Sequence, residues 1–160
     1  ASSSRCGSAD VLKRLGVNIE ADVKTVEKCI AMANIGFLFA PLLHQAMKYA
    51  IGPRKEIGIR TIFNIIGPLA NPAGATHRIL GVSELTVNTP DESAMAIREV
   101  LDGIRSPKRD VVLLNAAAAI IAGGLADDFK EGLEIAVQSI DTGNAKSALR
   151  KLMEISWQSP

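Results

Sequence analysis

Aromatic residues are scarce in this chain. Phe, Trp and Tyr make up 4% of its 160 residues. Without aromatics interleaved among cations, a stacking platform for single-stranded nucleic acid is not expected. Cysteine is almost as rare. Cys6 and Cys29 stand alone, with no metal-ligand spacing and no disulfide framework. With no secretory leader in view, they read as reduced thiols of a cytoplasmic protein. Apolar runs of membrane-spanning length are missing too. The most apolar loop-like stretch, "IGFLFAPLL", is too short to cross a bilayer and contains Pro41, so no membrane partner is expected. There is no internal repeat, low-complexity linker, Walker loop or Ser/His/Asp arrangement.

What the chain does have is aliphatic. It is 48% hydrophobic and 22% charged, the composition of a folded domain with a core. The net charge of +1 hides an asymmetry. Residues 1–80 hold ten Lys/Arg against five Asp/Glu, and residues 81–160 hold eight against twelve. The basic half favours an anionic small molecule, though only as a tendency.

Helical signals dominate. Ser8 or Asp10 is positioned to cap a short helix through Leu15, stopped by Gly16. Asp22 precedes a second, in which Val23, Val26, Cys29, Ile30 and Ala33 recur at helical spacing. Pro41 is placed to start a third over "LLHQAMKYA", ended by Gly52-Pro53, and a short one follows over "RKEIG". "HRILGV" reads as a short buried strand. Thr89-Pro90-Asp91-Glu92 is a helix start with a capping box, and that helix should reach Asp102 before Gly103. "RDVVLLNAAAAIIAGG" is apolar all round, so burial on most faces is expected. Two further helices follow, near 128–142 and 145–155, parted by Gly143.

Three stretches could carry chemistry. Ser3, Ser4 and Ser8 surround the first helix start, where unbonded N–H groups and the helix dipole favour an anion. Plain capping by Ser8 explains the same residues. His44 and Lys48 share a helix face, and Arg54 follows with a guanidinium suited to a carboxylate or phosphate. A solvated basic face explains these equally. "RTIFNIIGPLANPAGA" implies a shaped loop that walls a pocket or makes a tight connection. Asp91-Glu92 and Asp127-Asp128 are explained as helix starts.

Taken together, "SSRCGSADVLKRLGV", "IGFLFAPLLHQAMKYAIGPRKEIGIRTIFNIIGPLANPAGA", "RILGV" and "PKRDVVLLNAAAAI" resemble the anthranilate phosphoribosyltransferases of tryptophan biosynthesis, in that family's order. The resemblance implies an α/β fold of the nucleoside phosphorylase and phosphoribosyltransferase type, a helical domain beside an α/β domain. Residues 1–160 are part of the α/β domain, and the chain itself reads as mostly helical with one or a few short strands. The implied enzyme is a glycosyltransferase that moves a phosphoribosyl group from phosphoribosyl pyrophosphate to anthranilate, with Mg²⁺. The family implies Ser3, Ser4 and Ser8 as ligands of phosphoribosyl pyrophosphate, and His44, Arg54 and Pro68 around anthranilate. It also implies a homodimer for the full-length enzyme.

Departures from the family are equally visible. Its Gly-rich phosphate loop and Lys-His-Gly-Asn-Arg motif should precede Ala1. A stretch with several strands and a magnesium-binding Asp-Glu pair should stand between Val82 and Ser83. Cys6 and Gln45 replace a common Ser and Pro. Magnesium ligands are therefore expected in segments absent from this chain. Two other readings stay open: a pyrimidine-type nucleoside phosphorylase, and a non-catalytic truncated fragment.

Overall fold

The computed structural model describes residues 7–39, 42 and 89–158. Six helices carry those residues: α1 Ser8–Leu15, α2 Val23–Ala33, α3 Pro90–Leu101, α4 Pro107–Ala122, α5 Phe129–Asp141 and α6 Asn144–Ser156. The expected helices around Pro41 and "RKEIG", and the "HRILGV" strand, lie outside the described residues.

Side-chain caps set most of the starts. Asp22 accepts from Thr25 N–H at 2.8 Å, Thr89 Oγ1 from Glu92 N–H at 3.1 Å, and Asp128 from Glu131 N–H at 2.9 Å. Each satisfies a donor that the first turn leaves without a carbonyl. Two starts differ from expectation. The cap of α1 is Gly7, and Ser8 occupies the first helical position. α4 begins at Pro107, ahead of the apolar run, because Ser106 caps it by accepting from Arg109 N–H at 3.3 Å. At the other end of α1, Gly16 takes φ 95° and Val17 N–H reaches back to Leu12 C=O at 3.0 Å. That left-handed residue ends the helix and drops Val17 into the core. Gly143, at φ 77°, ends α5 and starts α6 within one residue.

The apolar faces assemble two packed groups joined by α3. In the first, Val17, Cys29, Ala33, Leu152 and Ile155 bring α2 and α6 together, and Val11 and Leu15 of α1 meet Ala94 of α3. In the second, Val100 of α3 packs with Leu113 of α4 and with Ala136 and Ile140 of α5. The expected spacing on α2 holds for Val26, Cys29 and Ala33, whereas Val23 and Ile30 are exposed. The expectation for α4 is overturned. Leu113 and Ala117 are buried, but Val112 and Leu114 are exposed, because one face alone packs on α5. No helix among the described residues is long and apolar enough to cross a membrane.

The end of α1 and the residues after it are tied to the end of α6 by polar contacts as well as by packing. Asn18 N–H donates to Ser156 Oγ at 3.0 Å, and Asn18 Nδ2 to Ser156 C=O at 3.0 Å. The Trp157 indole donates to Gly16 C=O at 2.9 Å. Arg98 of α3 donates to Arg14 C=O at 3.2 Å, so α1 is held at its carboxyl end from two sides.

Candidate functional site

Six residues are expected at the substrate. Ser8 is among the described residues; Ser3, Ser4, His44, Arg54 and Pro68 lie outside them. The geometry that bears on the site is therefore the amino-terminal turn of α1.

Gly7 approaches it in an extended conformation, φ −94° and ψ 152°, and offers no side chain to the turn. The first helical bond runs from Val11 N–H to Gly7 C=O at 3.2 Å. The N–H groups of Ser8, Ala9 and Asp10 precede that bond, so no carbonyl of the helix can reach them. Gly7, Ser8 and Ala9 are small, and the Ser8 side chain is exposed. An anion can thus approach the backbone closely, with a hydroxyl beside it. The starts of α2 to α5 differ, since a side chain closes each of them.

One charge opposes an anion here. Asp10 turns its carboxylate back to Gly7 N–H at 3.3 Å, the half of a capping box that a glycine cap permits. The pairing is legible in the sequence as an acid three residues after Gly7. The cations of α1 lie at its far end. Lys13 meets Glu20 at 3.5 Å and Arg14 meets Asp91 at 3.3 Å. Among the described residues, the electrostatic attraction of this turn comes from the backbone.

Magnesium does not fit the described residues. No three of His, Cys, Asp or Glu among them gather as a metal-binding group. Several of their carboxylates are otherwise engaged: Asp102 holds Lys146 at 2.6 Å, Asp141 holds Arg109 at 2.6 Å, and Asp22 and Asp128 cap helices.

Residues 1–87 and 82–146 match the family described as "Glycosyl transferase family, a/b domain". The anthranilate phosphoribosyltransferase of Pelotomaculum thermopropionicum is 40% identical over 220 residues, covering 96% of this chain and 64% of its own length. That of Geobacter sulfurreducens is 41% identical over 220 residues, covering 96% and 63%. The crystal structure of anthranilate phosphoribosyltransferase (TrpD) from Thermus thermophilus superposes with a TM-score of 0.87 at 29% identity, over 95% of this chain and 65% of that one. The chain spans under two thirds of the length of each. The aligned length of 220 exceeds the 160 residues here, so both of these sequence relatives carry a stretch without a counterpart in this chain.

Proposed function

Because this chain belongs to the glycosyl transferase family through its a/b domain, we propose that it takes part in phosphoribosyl transfer to anthranilate in tryptophan biosynthesis. The likeness to relatives of that name at about 40% identity carries the reading. The open first turn of α1 is in keeping with it. The fold is the α/β phosphoribosyltransferase fold, of which the described helices are part.

In the proposed reaction the anthranilate amine attacks C1 of the ribose. The C–N bond forms as the bond from C1 to the pyrophosphate oxygen breaks, and the nitrogen gives up a proton to solvent. Such a step asks for two substrates held in line and for charge stabilisation on the leaving group. Ser8 and the N–H groups of its turn would hold phosphate oxygens, with Ser3 and Ser4 beside them. Arg54 would take the anthranilate carboxylate as a charge-assisted pair, with His44 and Pro68 along the ring. Magnesium would neutralise part of the pyrophosphate charge, on ligands in segments absent from this chain.

We place the stretch missing relative to the family between Val82 and Ser83. The two-part family match, which doubles back at residues 82–87, supports that position. Anthranilate and phosphoribosyl pyrophosphate are the proposed partners, a homodimer the proposed assembly of the full-length enzyme, and the cytoplasm the proposed compartment.

The test uses this chain joined, in the family's order, to the segments of the Geobacter sulfurreducens relative that it does not match. Anthranilate should be consumed with release of pyrophosphate, while a pyrimidine nucleoside with phosphate is left untouched. Phosphorolysis of the nucleoside without transfer to anthranilate overturns the reading.

A further inference from the structure

Between α3 and α6 the molecule leaves an open cleft of about 450 Å³. That volume lies within the range of small-molecule sites, about 300–1,000 Å³. Its floor is apolar, built from Leu101 of α3 and from Leu149 and Met153 of α6. Leu149 and Met153 are half-buried against the core, which fixes the floor in place.

Its rim is cationic. Arg98, Lys146 and Arg150 stand there with a single carboxylate, Asp102. Lys146 and Asp102 meet at 2.6 Å and largely neutralise each other. Arg98 donates to Arg14 C=O at 3.2 Å, which anchors the guanidinium without cancelling its charge. Among the described residues no carboxylate lies within ion-pair distance of Arg98. Arg150 reaches Glu154 at 4.0 Å, with both side chains exposed, so water screens that pair. Two guanidinium groups thus keep most of their charge above an apolar floor.

The chemistry of that combination is selective. A guanidinium grips a carboxylate in a bidentate fork and also lies flat on an aromatic face. A thioether such as that of Met153 favours contact with an aromatic ring. We propose that the cleft between α3 and α6 binds a small aromatic carboxylate, its charged end on Arg98 and Arg150 and its ring over Leu101, Leu149 and Met153. None of the residues assigned to phosphoribosyl transfer lines this cleft, and the inference does not rest on that assignment.

Benzoate is the probe, titrated into the ¹⁵N-labelled 160-residue chain and followed by amide shifts. Saturable shifts are expected in residues 98–102 and 143–153. Acetate lacks the ring and benzylamine reverses the charge, so neither should reproduce them. Arg98→Gln with Arg150→Gln should weaken benzoate by about tenfold or more, the loss of one charge-assisted pair. Among the described residues Arg150 pairs only with the exposed Glu154, so Arg150→Gln alone should still weaken benzoate, by less than the double variant, even if Arg98 proves necessary for folding. Benzoate shifts that saturate elsewhere, or variants that bind as tightly as the parent, would overturn the site. Equal binding of acetate would reduce the cleft to a non-specific anion patch and overturn the aromatic class.

Discussion

Asp22 has the proton affinity of its carboxyl lowered by the fold. The N–H of Thr25 donates to it, followed in effect by the Thr25 side chain, and both hold it below its ordinary value of 3.8. A depressed value in the folded state means stability that is full above the unfolded value and is lost as pH falls through the folded one. Acidification below pH 4 should therefore loosen α2. Asp22→Asn keeps a good cap but does not titrate. Its melting temperature should fall less steeply between pH 4 and pH 2 than that of the parent, as followed by circular dichroism. Ser8 makes a second prediction at this scale. With Gly7 as the cap, Ser8→Ala is an exposed substitution and should change stability by less than about 0.5 kcal/mol. In the joined enzyme it should weaken phosphoribosyl pyrophosphate and leave anthranilate binding alone. A variant that melts early but binds the donor normally would show that the hydroxyl is structural. For Arg54→Ala the KM for anthranilate should rise far more than that for the donor, in line with a lost charge-assisted bond of roughly 1.5–3 kcal/mol.

The contact between α4 and α5 is close enough to depend on one missing side chain. A Cβ at Gly132 would come within 3.0 Å of Ala117 C=O and 3.3 Å of its Cα. Backbone does not give way as a flexible side chain does. Gly132→Val should force the helices apart at a cost of about 1–3 kcal/mol. Gly132→Ala should come out near neutral, because the gain of roughly 1 kcal/mol in helix propensity offsets the crowding. Urea denaturation of the pair decides it, and equal costs for both substitutions would mean the contact is looser than the geometry indicates. The same two helices are bridged by Arg109, which is buried. Its guanidinium donates to Gly103 C=O at 3.1 Å and to Asp141 Oδ1 at 2.6 Å, while Nε has no partner among the described residues. Removing the acid leaves a buried cation, whereas replacing the cation leaves a half-exposed acid that water can serve. Asp141→Ala should therefore cost about 2 kcal/mol, and Arg109→Met less. The reverse order in thermal denaturation would contradict this account.

For the molecule as a whole, the weight falls on what the chain has in place of its relatives' full length. Pyrophosphate carries several negative charges, and one helix start with its hydroxyls cannot offset them. Asp91 and Asp128 are already committed to an ion pair and a cap. The 160-residue chain should bind phosphoribosyl pyrophosphate weakly and show no measurable transfer, and joining to it the segments of its relatives that it does not match should raise both. Titration calorimetry with magnesium and donor makes the comparison. Tight, magnesium-dependent binding by the 160-residue chain would mean that its phosphate site lies elsewhere.

Local chemistry was readable from the residues themselves. Asp22, Thr89 and Asp128 announce helix starts because a short acceptor before a helical run satisfies its own neighbours, whatever the rest of the chain does. Gly16 and Gly143 announce stops because few other residues adopt a positive φ at low cost. The family motifs around Gly7-Ser8-Ala9-Asp10 were legible for the same reason, being contiguous. The cap of α1 is Gly7 and not Ser8 or Asp10, because which residue leaves the helix turns on a backbone angle that no side chain declares. Burial could not be read locally at all. The apolar run of α4 implies core on every side, yet which face is covered depends on α5, which lies beyond an intervening loop. The docking of α6 onto α1 and α2 rests on Asn18 meeting Ser156 and on Trp157 meeting Gly16, partners 138 and 141 positions apart. No periodicity connects such residues. Their pairing exists only once chain entropy has been overcome by burial of Leu15, Cys29 and Leu152. Tertiary structure alone also opened the cleft between α3 and α6, because cations on two helices become one rim only after those helices have packed.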